Sequence, residues 1–247
     1  MTIAQTIKEI GEKLCKDKKL ADVRIGLGYT CVELKDGAAG IAWTPNRNAA
    51  SSCTHLPKAG SIQDTFEQDI LQLLESDNHL ERAIGLAAFN AVYSRKEQQY
   101  SDAEAISMLN IQAADHVVMV GHFAPVIPRI KKTGCTLDVL DLNSAKPGIV
   151  DIRSAPDLLA SCDVAIITST SIINDTIDNL LSHLQRNRAA VLLGPSTPVC
   201  PEAFANTRIT QLSGSRVKET ELLKRIISQG GGTMLMKKHL EFVSVAV

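Results

Sequence analysis

Apolar residues at Ile3, Ile7, Ile10 and Leu14 recur at helical spacing ahead of the charged stretch "KDKK", so the chain opens on an amphipathic helix. The pattern then changes to strands. "VRIGLGYTCVEL" and "AAGIAWTP" are separated by "KDG", whose Asp36-Gly37 pair is a strong hairpin signal, and an antiparallel pair is expected over residues 22 to 43. Residues 44 to 61, "TPNRNAASSCTHLPKAGS", follow neither period, and a loop of that length in a compact domain is usually functional or disordered. Two helices come next, one around residues 62 to 75 and one in "HLERAIGLAAFNAVY", with Asn78 and Glu81 at the spacing of a capping box. Gly85, Ala87, Ala88 and Ala91 make the second helix thin enough to lie close against a neighbour. The polar run "SRKEQQYSD", residues 94 to 102, reads as a boundary.

Beyond it the strands are "HVVMVG", "TLDVLDL", "DVAIITST", "AAVLLGP" and "ITQLSGS", continuous Val/Ile/Leu runs of the kind buried on both faces of a parallel sheet. Helices are expected near residues 125 to 132, 155 to 161, 174 to 186 and 217 to 228, the last stopped by the glycines at 230 to 232. The closing "HLEFVSVAV" reads as a further strand of undetermined position. The predicted fold class is α/β, with an N-terminal α+β domain over residues 1 to 98 and a Rossmann-like parallel-sheet domain over 99 to 247.

Composition narrows the function. The 26 basic and 27 acidic residues are well mixed, with no basic stripe interleaved with aromatics, which argues against nucleic acid as a partner. No apolar run reaches the roughly 20 residues of a membrane span, and the first residues lack a signal peptide's apolar core, so a cytoplasmic protein is expected. The six cysteines form no CxxC pair and are expected as reduced thiols, mostly small core residues. A homo-oligomer stays open.

The chemistry gathers at the strand ends. They lead into "GHFAP", Asp141, "TSTSIIND", "GPSTP" and "SGSR", each rich in Gly, Ser, Thr, Asn or Asp, and in an open α/β sheet ligands bind beyond the carboxyl ends of the strands. One hydroxyl-rich end by itself makes a turn and a helix cap. Several converging on one crevice supply more donors than turn-making needs, so Gly121, His122, Asp141, Thr168, Ser169, Thr170, Asn174, Gly194, Ser196 and Thr197 are the expected ligand-binding set, led by Thr168, Thr170, Asn174 and Ser196. The GxGxxG fingerprint is missing, which disfavours NAD, although Asp141 follows Gly121 at about the spacing of a ribose-binding acid. Arg82 and Asn90 read as interhelical hydrogen-bonding groups. No Ser-His-Asp order, HExxH motif or P-loop is visible.

Cys53, His55 and His122 offer soft ligands from Gly- and Pro-rich loops and together could hold a transition metal ion, although the spacing matches no standard zinc motif, each alone reads as structural, and the cofactor stays open. The 44 to 61 loop is expected to close over the crevice and present Cys53 and His55 to it.

The segments "ERAIGLAAFNAV", "VVMVGHFAPVIPRI", "DVAIITSTSIINDTIDNLL", "VLLGPSTPVCP" and "LSGSRV" together resemble the heavy-metal-chelation family of anaerobic bacteria and archaea. The resemblance implies an enolase N-terminal-like domain joined to a C-terminal Rossmann-like domain, a cleft between them as the site, and a role in handling a heavy metal or a metal-bearing cofactor, with a suggested link to corrinoid synthesis. By position it points to Gly121, Pro125, Thr168, Thr170, Asn174, Thr176, Gly194, Pro195 and Ser196 as motif residues. The expected function is therefore binding of a small or metal ligand in an interdomain cleft. The alternatives are a transferase-type enzyme using a nucleotide-like cosubstrate such as S-adenosylmethionine, and an assembly subunit. Whether a reaction is catalysed stays open.

Overall fold

The computed structural model describes residues 1–45, 54–101, 103–141 and 148–247. The opening helix α1 spans Ile3–Glu12 and buries Ile3 and Ile7, with Thr2 and Gln5 closing a capping box at its start. Three strands follow, β1 (Leu20–Ile25), β2 (Tyr29–Leu34) and β3 (Ala39–Trp43), paired antiparallel in that order. The expected two-stranded hairpin is thus a three-stranded meander. Its first predicted strand breaks at Gly26-Leu27-Gly28, where the Gly26 amide donates to the Tyr29 carbonyl at 2.9 Å and turns the chain.

Helix α2 covers only Glu67–Leu71, flanked by 3-10 turns at Ile62–Asp64 and Gln72–Glu75, so the helix expected over 62 to 75 is broken into three pieces. Helix α3 (His79–Tyr93) begins where the pattern placed it. Asn78 caps it through the Leu80 amide at 2.9 Å, but Glu81 takes the Ser76 hydroxyl instead of completing the capping box.

The second half supplies β4 (His116–Val120), α4 (Ile127–Lys131), β5 (Thr136–Asp141), β6 (Ile149–Asp151), α5 (Ala155–Ser161), β7 (Val164–Thr168), α6 (Thr170–Ile173), α7 (Ile177–Ser182), β8 (Ala189–Leu193), β9 (Gln211–Val217), α8 (Thr220–Ser228), α9 (Thr233–Met236) and β10 (Leu240–Ala246). Its seven strands lie in the order β10-β9-β8-β7-β4-β5-β6, all pairs parallel except the edge strand β10, which runs antiparallel to β9. The closing segment is thereby placed. The helix expected over 174 to 186 is the shorter α7, and an unexpected short helix, α6, precedes it from Thr170, inside the hydroxyl run.

Continuous apolar strands are explained by burial on both faces. Val117 and Met119 of β4, Val164 and Ile166 of β7 and Val191 of β8 form one core cluster. Their neighbours Val118, Val120, Ala165, Ile167 and Leu192 join another that continues into α3. Alternate residues thus feed opposite cores. The small sheet is likewise two-sided: Val32, Leu34 and Ala42 pack with α3, while Tyr29, Cys31 and Ile41 pack with Leu223 and Ile227 of α8. Five cysteines, Cys15, Cys31, Cys135, Cys162 and Cys200, are free thiols, and burial pushes those of Cys31 and Cys200 up to about 12. Among the described residues no helix is long and apolar enough to cross a membrane.

Candidate functional site

From β4 the chain adds β5 and β6 on one side, then crosses to β7, β8 and β9 on the other, so strand order reverses between β4 and β7. In open α/β sheets such a reversal parts the connections, and ligands bind beyond the carboxyl ends of the two strands. Gly121 follows β4 and Ser169 follows β7.

The hydroxyl run ending β7 divides by role. The Ser171 hydroxyl donates to the Thr168 carbonyl at 2.6 Å, which is turn-making. Thr168 and Thr170 share a hydrogen bond between their hydroxyls at 3.0 Å. Ser169 occupies the N-cap position of α6 yet makes no capping bond, and its side chain, in a residue only 1% exposed, has no hydrogen-bond partner among the described residues. Glycines stand on either side. At Gly121 (φ 99°) an added Cβ would lie 2.9 Å from Thr168 Cβ, and at Gly194 (φ 133°), after β8, it would lie 2.9 Å from Ser169 Oγ. Both positions demand a backbone that L side chains rarely adopt; Gly194 leaves space beside the Ser169 hydroxyl, and Gly121 leaves it beside the Thr168 Cβ and methyl.

The other expected residues have mixed surroundings. Exposed His122 donates its amide to the Asp141 carboxylate at 3.2 Å, tying the ends of β4 and β5 together. Asn174 ends α6, just before Asp175, whose carboxylate takes Arg82 at 2.6 Å. Arg82 also donates twice to the Ile172 carbonyl and so joins α3 to α6 as expected, whereas Asn90 donates to the carbonyls of Ile41 in β3 and Ser196 in the loop after β8, and its bonds are not interhelical. The buried Ser196 hydroxyl accepts the Trp43 amide at 2.8 Å, which makes it a tether between β3 and the loop after β8. Thr197 is buried with an unpartnered hydroxyl and lines a cavity of about 20 Å³ together with Asn90, Tyr93, Tyr100 and Arg216. Trp43 was missed by sequence reasoning, because nothing local marks an amide whose partner lies 153 positions away.

His55 is exposed, and its carbonyl accepts from the Asn78 side chain at 3.3 Å. Cys53, like the rest of residues 46 to 53, lies outside the described residues, so the expected loop closure does too. Among the described residues no three His, Cys, Asp or Glu side chains assemble into a metal-binding group. A cavity of about 410 Å³ sits between the end of α1 and the start of α2, lined by Glu12, Cys15, Phe66 and Asp69 among others, and shares no residue with the strand ends.

Two family models, each described as "Putative heavy-metal chelation", match residues 7–93 and 104–246. The chain belongs to this heavy-metal-chelation family. An uncharacterised protein of Methanocaldococcus jannaschii is 25% identical over 249 residues, covering 95% of this chain and 94% of the relative. A crystal structure of a family member of unknown function from Pyrococcus horikoshii superposes with a TM-score of 0.86 at 24% identity, covering all of both chains. One from Desulfitobacterium hafniense gives 0.80 at 23% identity, covering 98% of this chain and 99% of that one. At such identities these structures establish the shared fold of the heavy-metal-chelation family member, with its seven-stranded, mostly parallel sheet and its small antiparallel sheet.

Proposed function

We propose that this member of the heavy-metal-chelation family binds a heavy metal, free or carried by a small molecule, in the crevice beyond β4 and β7. The observation that carries the reading is the Thr168–Ser169 pair flanked by Gly121 and Gly194, two glycines whose side chains would cover it. A strand end built only for turning uses its hydroxyls on local groups, as Ser171 does with the Thr168 carbonyl, whereas Ser169 makes no such bond at the start of α6. His122 and Asp141 add an imidazole and a carboxylate at adjacent strand ends, a donor set that suits borderline metals such as nickel, cobalt or zinc. In this reading residues 1 to 98 act as an enolase N-terminal-like domain and 99 to 247 as a Rossmann-like domain, with the crevice between them.

A second reading, a transferase using an adenosyl cosubstrate, is favoured by Asp141 at the end of the strand next to β4, where a dinucleotide fold places its ribose-binding acid. Thermal-shift measurements with nickel, cobalt, copper, molybdate and S-adenosylhomocysteine separate the two, because a ligand that binds only the folded state raises the melting temperature. Stabilisation by a metal that is lost in His122→Ala and Thr168→Val supports chelation. Stabilisation by the adenosyl compound alone supports the transferase, and none from any of them rejects both.

A further inference from the structure

We infer that the ligand of this crevice is an organic molecule or metal complex long enough to reach from Asp141 to Ser169, and that it places an uncharged oxygen on the Ser169 hydroxyl. The inference rests on the crevice being the ligand site and adds the class of ligand. Three relationships lead to it.

The Ser169 hydroxyl is unpartnered in a residue 1% exposed, and the way to it is kept open by the missing side chain of Gly194. The volume of that missing Cβ, 2.9 Å from Ser169 Oγ, is the size of one slender polar atom. No ionisable side chain stands in the flanking segments, residues 168 to 171 and 194 to 197, so recognition there is by hydrogen bonding alone and fits a carbonyl or amide oxygen.

The ionisable groups stand at the other end. Asp141 closes β5 and His122 follows β4, whereas Ser169 follows β7, and β4 lies between β5 and β7 in the sheet. Two interstrand spacings separate Asp141 from Ser169, roughly 10 Å. A metal ion touches its ligands at about 2–2.5 Å and so bridges donors no more than about 5 Å apart. One bare ion therefore cannot engage both ends. A molecule that fills the site carries its metal or cationic part at His122 and Asp141 and its neutral oxygen at Ser169.

Crystals soaked in acetamide, a probe of the neutral oxygen alone, test the recess without reference to any metal. The expected result is an acetamide oxygen within hydrogen-bonding distance of Ser169 Oγ in the parent, absent from Ser169→Ala and shut out by Gly194→Ala. Ser169→Ala removes an unpartnered group, so its melting temperature without ligand should equal or exceed that of the parent, which a structural serine would not allow. A parent recess without acetamide, or one filled equally in Ser169→Ala, overturns the inference. If a metal stabilises the parent while acetamide is absent from Ser169 or is unaffected by Ser169→Ala, the crevice reading survives and the Ser169 contact falls. If acetamide seats on Ser169 and no compound of the thermal-shift panel binds, the contact survives and the chelation reading falls.

Discussion

The Trp43 amide donates to the Ser196 hydroxyl at 2.8 Å, joining the last residue of β3 to the loop after β8. The bond fastens the small sheet to the carboxyl end of the large one. Ser196→Ala strands that amide, and leaving such a donor without a partner costs about 1–3 kcal/mol. The urea midpoint should fall with an unchanged slope. An unaltered midpoint would mean that water replaces the hydroxyl and that Ser196 is free for a ligand after all.

Gly40 lets β3 and α3 meet at backbone distance. A Cβ there would sit 2.3 Å from both the Ala87 carbonyl oxygen and the Ala91 amide nitrogen, and neither can move without displacing the helix. Gly40→Ala should therefore destabilise by about 3 kcal/mol, at the upper end of overpacking effects. Gly232→Ala, where nothing lies within 4 Å, is the matched control and should melt close to the parent.

Lys224 of α8 holds the helix to the small sheet, with its ammonium 2.5 Å from Glu33, 3.2 Å from Asp22 and 2.6 Å from Glu221. Lys224→Met leaves those carboxylates facing one another with their cation gone, at a cost of about 3 kcal/mol. Because the cost lies in the uncompensated charge, the double variant Lys224→Met, Glu33→Leu should recover part of it. Chemical denaturation of the three proteins decides the matter: equal stability of parent and single variant would show that the cluster contributes nothing.

The legible parts of this fold were those with a long period or a long apolar run. Strands β4, β7 and β8 could be read because both faces are buried and every residue but His116 and Thr168 at their ends is apolar, and α3 because its cap and its small residues are local signals. The break at Gly26-Leu27-Gly28 was hidden, since apolar residues continue on both sides of it. Strand β6 spans three residues, too short to show a pattern. At the site, sequence marked the glycines and hydroxyls but could not sort them. Ser171, Ser196 and Ser169 are the same residue type, and only their partners, a local carbonyl, a distant amide and none, separate a turn, a tether and a candidate contact.

Glu202 carries the pH dependence. Partial burial would raise its carboxyl, but the Lys96 ammonium paired with it and the Tyr93 hydroxyl, which donates to it at 2.7 Å, outweigh that and hold it down at about 2, from an ordinary 4.5. A folded-state value below the unfolded one adds stability above about pH 4.5, which is lost as pH falls from there toward 2. The contribution is reduced by solvent, because the side chain is 46% exposed. Glu202→Gln removes the charge and should melt below the parent at neutral pH. The gap should stay constant down to about pH 4.5, narrow between there and 2, and vanish below. Melting curves for both proteins across that range provide the measurement, and a gap that persists unchanged into acid would show that Glu202 acts through packing rather than through its charge.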